Sequence, residues 1–264
     1  MKIVLPIAGL AVVIGLWWLA TVVFSIETYL VPSPKDVFDA YIAQQGFLLD
    51  QAGVTLWETV QGFLLSLIAG VPIALLIVSS KILERMIYPL LLAVNAVPKI
   101  AIAPILVVWL GFDMAPKVIM VFLVCFFPIV ISTASGMKST PAELVELLRS
   151  MDCSRSQEFF KLRLRYAMPQ VFVGMKVAIS LAVIGAVIGE FVGAKAGLGY
   201  VIVQSGASAD TSLAFAAMAL LAVMSIVLFY GLVWLERRLL PWAEGDYLSS
   251  FPRPTRRSGR ARRT

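Results

Sequence analysis

Six long apolar runs, separated by short polar stretches, make up most of the chain. Window hydropathy places them at about residues 3–26, 57–80, 86–110, 115–135, 169–194 and 212–240. Each is near the ~20 residues that an α-helix needs to cross a bilayer. The first run, Ile3 to Ile26, is too long for the apolar core of a signal peptide and lacks a small-residue cleavage site, so a retained helix is expected. Prolines fall well inside several runs: Pro72 in the second, Pro98 and Pro104 in the third, Pro128 in the fourth. At membrane depth such residues are tolerated where neighbouring helices or cavity water satisfy the carbonyls they free. Between the first two runs, Val31-Pro32-Ser33-Pro34 predicts a turn and Pro34 to Ile42 an interfacial helix.

The longest polar interruption of the second half runs from Gly136 to Met168. Two capped helices are predicted in it. The first has Thr140 as N-cap, Pro141 at the first helical position and Glu143 three residues after the cap. The second opens on Ser154-Arg155-Ser156-Gln157, a Ser-x-x-Gln capping box, with Asp152-Cys153 as the turn between them. Leu147, Leu148, Met151, Phe159 and Phe160 would be costly facing water. Docking of a partner would bury them, at ~25 cal/mol per Å² of apolar surface, and burial against the chain's own bundle competes for some. Arg149, Arg155 and Lys161 would rim such a docking face.

Composition narrows the class. Hydrophobic residues make up 60% of the chain and charged ones 14%, with a mean hydropathy of +0.90. An integral membrane protein is the comfortable class for that balance. With no His and two separated cysteines, Cys125 in a span and Cys153 in the polar island, neither a metal site nor a disulfide is expected, and no cofactor. The net charge of +6 is explained by topology rather than by nucleic acid. Placing the N-terminus inside puts Lys81, Arg85, Lys138, Arg149, Arg155, Lys161, Arg163 and Arg165 on inner segments and leaves only Lys35, Lys117 and Lys195 outside. By the positive-inside rule both termini and the polar island are then cytoplasmic. One transmembrane domain is expected over 1–251, with the island helices at about 140–168. The tail 252–264, with six arginines, is expected to be disordered and to touch anionic membrane lipid.

Charges inside spans carry functional weight, because each costs ~3 kcal/mol on insertion scales. Lys99 lies in the third run beside Pro98; with Asn95 it either lines a solute path or snorkels and pairs structurally. Glu190, near the outer end of the fifth run, reads as the one clearly embedded carboxylate, serving a gate or an inter-helix contact. Their depths differ by ~10 Å at ~1.5 Å per residue, which argues against a direct pair. Gly185, Gly189, Gly193 and Gly197 recur every four residues, a stripe that lets helices approach closely.

These segments carry a resemblance. The island is similar to the EAA loop of binding-protein-dependent ABC importer permeases: Glu146-Leu147-Leu148 falls on the Glu-Ala-Ala, Asp152 on the glycine and Met168-Pro169 on the Leu-Pro. Only Glu146 and Pro169 match outright, and Asp152 at the glycine is the main departure. Ala96 to Pro104, running on to Val108-Trp109-Leu110-Gly111-Phe112, resembles the third-span signature of nitrate, sulfonate, taurine and pyrimidine-precursor permeases. Glu190-Phe191-Val192-Gly193 and Gly197-Leu198-Gly199-Tyr200 resemble another stretch of that group, and Val31-Pro32-Ser33-Pro34 a third.

The resemblance implies an all-α integral membrane protein of six transmembrane helices, a type I ABC importer permease (MetI-like) bundle. It implies alternating access driven by cytoplasmic ATPase subunits, fed by an extracytoplasmic solute-binding protein and completed by a second permease copy, a homodimer being most economical. No phosphate-loop motif is present, so the ATPase is expected on a separate polypeptide and the chain is not expected to be an enzyme. Glu143, Glu146, Leu147, Leu148, Met151, Asp152, Ser154, Phe159, Phe160 and Pro169 would couple to it. Asn95, Pro98, Lys99 and Glu190 would line or gate the path. The rivals are an ion-coupled secondary transporter or channel, which predicts inverted repeats or several embedded carboxylates, and a membrane enzyme, which needs a nucleophile or metal constellation.

Overall fold

The computed structural model describes residues 4–242; the arginine-rich stretch 252–264 lies outside the described residues. Those residues form helices joined by short turns. After α1 (Val4–Val23), a reciprocal cap starts α2 (Pro34–Ala43): Ser33 N–H donates to Asp36 Oδ2 at 2.9 Å, and Asp36 N–H donates to Ser33 Oγ at 3.3 Å. α3 (Gln45–Ser79) is 35 residues long and begins twelve residues before the apolar run that predicted it.

The third run is not one helix. α4 (Lys81–Asn95) stops before Pro98, a 3₁₀ turn spans Lys99–Ile102, and α5 (Ala103–Leu110) leaves at a 78° bend. Pro98 cannot donate and disfavours helical backbone in Val97, which ends α4. Pro104 sits in the first turn of α5, where its missing N–H costs nothing. α6 (Met114–Lys138) follows, then α7 (Ala142–Ser150), the single turn α8 (Arg155–Gln157), a π-helical turn over Glu158–Arg163, and α9 (Leu164–Phe191). α10 (Leu198–Ala207) and α11 (Thr211–Leu239) complete the order.

Four helical rods are long and apolar enough to cross a membrane alone: α3, α6, Glu158–Phe191 and α11. Among the described residues the bent α4–α5 pair makes a fifth if it is one span, and Ala8–Val23 of α1 and Leu198–Ala207 are shorter apolar helices. The six expected runs are thus all helical, the third of them broken.

α6 is the hub, packed between α3 and α9. Phe63, Val121, Cys125, Ile129, Phe172, Ala178, Ile179, Ala182 and Ala186 fill that core. Glycines bring the helices together: a Cβ on Gly62 would collide with Val121, and one on Gly174 with Ser132. Where neighbouring helices are no more apolar than lipid, such close backbone approach is what holds them. Gly185 and Gly189 belong to this set, since their hypothetical Cβ atoms fall 2.9 Å from Val121 Cα and 2.8 Å from Lys117 Cα. The stripe ends there. α9 stops at Phe191, and Gly193 (φ +84°) and Gly197 (φ +110°) lie in the following turn, where their backbone favours glycine and no helix face continues.

Candidate functional site

Among the described residues, three of the polar constellations in the apolar bundle involve the predicted site residues. The first is the elbow between α6 and α9. α7 does not start on the expected box: its N-cap position is Pro141, and the buried Thr140 hydroxyl has no hydrogen-bond partner. Its end is well defined. Met151 is the C-cap, Asp152 N–H donates to Arg149 O at 3.1 Å and Cys153 N–H to Leu148 O at 3.2 Å. These two bonds make a Schellman motif, whose residue after the cap must be left-handed. Asp152 fills that position at φ +56°. This explains why a glycine suits it, and aspartate tolerates it better than most residues.

The second predicted box forms: Ser154 N–H donates to Gln157 Oε1 at 3.2 Å and Gln157 N–H to Ser154 Oγ at 3.3 Å. It does not open a separate helix. The turn it starts passes through the π-helical segment directly into α9, so the second half of the island is the first part of the fifth span. Pro169 lies inside α9, half-buried. Buried Glu158, which pattern reading passed over, ties the elbow to this rod. Its Oε2 accepts from Arg149 Nε on α7 at 3.0 Å, and its Oε1 accepts from Arg163 Nε at 2.8 Å. A buried carboxylate between two guanidinium groups keeps its charge compensated.

Beside this anchored side, apolar groups stay uncovered. Leu144, Leu147, Met151 and Phe160 are exposed, the last two by 68% and 62%, whereas Val145 is buried and Leu148 and Phe159 are half-buried. Spacings of three and four residues put Leu144, Leu147 and Met151 on one face of α7. Phe160 meets Phe159 edge to face at 5.1 Å. Glu143 and Glu146 are exposed on the same helix. The side chain of Arg155 lies outside the described residues.

The second constellation is the break in the third span. Lys99 Nζ donates to Asn95 Oδ1 at 2.9 Å and to Asn95 O at 3.2 Å, and sits 5.1 Å from the centre of the Phe127 ring. The ammonium thus closes the carbonyl end of α4, where positive charge is favoured. Asn95 and Pro98 are exposed and Lys99 half-buried.

The third constellation lies where the 193–199 turn meets α3 and α6. Glu190 is 1% exposed. Its Oε1 accepts from Thr55 Oγ1 at 2.7 Å, and its Oε2 from Gly199 N–H at 2.5 Å. Leu198 N–H donates to Thr55 Oγ1 at 2.8 Å, and Gly197 N–H to Gln51 Oε1 at 2.7 Å. The opening N–H groups of α10, unpaired within any helix, are thus satisfied by α3 and by Glu190. Gly199 has no room for a side chain, its Cβ falling 2.7 Å from Glu190 Oε2, and at Gly197 a Cβ would overlap the same carboxyl. The Gly-Leu-Gly spacing is what this contact requires.

Glu190 is not the lone embedded carboxylate. Glu58 of α3, also 1% exposed, pairs with Lys117 of α6 at 2.7 Å, the lysine itself being buried. The sequence pattern places Lys117 outside and gives Glu58 no role. Glu58 falls one residue past the start of the expected second span, Lys117 two past the start of the fourth and Glu190 four before the end of the fifth, all toward the expected outer face. Comparing depths between spans, rather than within each, would have found the cluster.

Comparison with known proteins decides what kind of bundle this is. A family described as "Binding-protein-dependent transport system inner membrane component" matches residues 62–243. The chain belongs to this family. The permease is 36% identical over 217 residues to the formylaminopyrimidine transport permease protein ThiX of Halalkalibacterium halodurans, covering 82% of this chain and 87% of that one. It is 33% identical over 239 residues to a probable ABC transporter permease protein of Haemophilus influenzae, covering 90% and 98%. It is 27% identical over 252 residues to the taurine transport system permease protein TauC of Escherichia coli, covering 91% and 90%. A membrane chain of the MetNI methionine ABC transporter superposes with a TM-score of 0.65 at 18% identity, over 74% of this chain and 97% of that one. The fold is therefore that of a type I ABC importer permease, an inner-membrane, multi-pass transport subunit, and the secondary-transporter reading falls away.

Proposed function

We propose that this permease admits a small polar organic solute to the cytoplasm, with a pyrimidine-type heterocycle as the first candidate and sulfonates, taurine and nitrate behind it. The greater identity to the formylaminopyrimidine permease than to the taurine permease supports that order. So does Lys99, the cation of the broken span, whose ammonium is taken up by Asn95 and Phe127 rather than held out for an anion. On this reading a solute-binding protein delivers at the end bearing Glu190, a second copy of the chain completes the path, and the break of the third span, with Asn95, Pro98 and Lys99, faces it. Glu190 and the turn it holds act as the gate. Both termini and α7 are cytoplasmic, and separate ATPase subunits supply the energy.

The observation that carries the reading is the elbow: an apolar face of α7 left open, while its other side is pinned to the α9 rod through Glu158. Glu143, Glu146, Leu147, Leu148, Met151, Asp152, Ser154, Phe159, Phe160 and Pro169 build or buttress that elbow. The test is Leu147→Asp combined with Met151→Asp. Membrane insertion should be unchanged, while co-purification of the ATPase and solute uptake are lost. Normal uptake by the double variant would refute the reading. Calorimetry of the cognate binding protein against formylaminopyrimidine and taurine settles the solute class.

A further inference from the structure

The cluster of Glu58, Lys117 and Glu190 does not balance as three charged groups. Glu58 and Glu190 converge on one spot: Thr55, one turn before Glu58 on α3, donates to Glu190 Oε1, while Lys117, which donates to Glu58, packs against Gly189 beside Glu190 and brings the two carboxyl groups face to face. Yet Glu58 Oε2 is buried with no hydrogen-bond donor, because a carboxylate facing it can only accept. Glu58 Oε1 takes the Lys117 ammonium, and both Glu190 oxygens already accept, from Thr55 and from Gly199. Among the described residues, the charged groups that face the pair are limited to Lys117, so two full carboxylates would leave one negative charge uncompensated. Gln51 and Thr55, the other polar side chains here, are neutral. A buried, unpaired charge of this kind is more costly than a proton bound from water.

We propose that Glu58 and Glu190 hold one proton between them, as a neutral bridge with Lys117 that fastens the 193–199 turn to α3 and α6. The proton supplies the donor that Glu58 Oε2 lacks. It belongs to the pair rather than to either residue. This rests on the hydrogen-bond and charge balance of the cluster and not on the transport reading.

The experiment is infrared difference spectroscopy of the full chain, purified with its ATPase in lipid nanodiscs at neutral pH, in H₂O and in D₂O. The parent should show the carbonyl stretch of a protonated carboxylic acid, shifted in D₂O. Glu58→Gln and Glu190→Gln should each abolish it, because the remaining carboxylate then pairs with Lys117. Either variant suffices if the other fails to fold. Lys117→Met should add a second such band. Thermal unfolding gives an independent reading: Glu58→Gln, whose amide can both accept from Lys117 and donate to Glu190, should unfold near the parental temperature, and Glu58→Ala well below it. A parental spectrum from which neither Gln variant removes a band, or equal destabilisation by Glu58→Gln and Glu58→Ala, overturns the proposal.

Discussion

Adding one methyl group at Gly185 should separate the two best-packed helices of the bundle. The new Cβ would lie 2.9 Å from Val121 Cα and 3.3 Å from Met120 O, both backbone atoms of α6 that no side-chain rotation can move. Carbon atoms settle at ~3.5–4.0 Å, so α6 and α9 must part locally by about 0.6–1.1 Å, enough to forfeit a quarter to a half of each neighbouring dispersion contact. Overpacking of this kind costs about 1–3 kcal/mol. Alanine returns up to ~1 kcal/mol over glycine in a helix. Gly231 of α11 supplies the control, because nothing lies within 4 Å of its hypothetical Cβ. Gly231→Ala should therefore be neutral or stabilising, and Gly185→Ala should unfold at a lower temperature by about 1–3 kcal/mol relative to it, or ~2–12 °C at 2–4 °C per kcal/mol. The assay is thermal unfolding of the purified permease. Equal stability of the two variants would refute the close-packing account of Gly185, and with it that of Gly189.

Two further changes test the elbow. Asp152→Gly should raise the unfolding temperature, by up to ~1 kcal/mol, since it removes a Cβ from left-handed backbone; Asp152→Pro, whose ring fixes φ near −65°, should destabilise it. Glu158→Ala should destabilise the elbow by ~3 kcal/mol or less, the range for breaking a carboxylate–guanidinium arrangement with one exposed partner, and should raise hydrogen exchange in α7 above that in α6. Unchanged exchange in α7 would show that the Arg149 contact does not anchor it.

The sequence made the spans legible because a 20-residue apolar run has few other uses. The break at Pro98 was not: Pro72, Pro128 and Pro169 lie inside unbroken helices, so a proline within an apolar run does not by itself mark where a span breaks. What failed was local pattern applied without neighbours. Thr140 followed by Pro141 and Glu143 satisfies a capping box on paper, but Pro141 leads into α7 in extended backbone and the hydroxyl is left buried and unpaired. The π-turn over Glu158–Arg163 has no periodicity signal, since it adds one residue to an otherwise helical run. Gly193 and Gly197 share the four-residue spacing of Gly185 and Gly189 for a different physical reason, a positive φ. Glu58 and Lys117 lie far apart in sequence and neither carries a motif. Their meaning lies in α3 passing the start of α6 and the end of α9 at one level, which appears only when the bundle is assembled.

The two polar constellations at either end of α9 bear on how the elbow and the gate communicate under the proposed function. Glu158 fixes the start of the rod to α7, and Glu190, near its last residue, fixes the turn that begins α10. Between them α9 contains no loop, and its glycines seat it on α6, so the joints of the rod lie near its start, at the π-turn and at Pro169. At ~1.5 Å per residue the 28 residues of α9 make a lever about 42 Å long, and a tilt of about 5° at one end moves the other by ~4 Å. That displacement exceeds the tolerance of the 2.5 Å and 2.7 Å hydrogen bonds that Glu190 makes. A movement of α7 transmitted through Glu158 must therefore either break the Glu190 contacts or carry α3 and the 193–199 turn along with α9. Distances between spin labels on α7 and on Tyr200, measured with and without ATP in the assembled transporter, change if the contacts break and stay constant if the turn moves with α9. If the distances change in the parent but not in Glu158→Ala, the clamp carries the motion; if they change equally in both, it travels by another route.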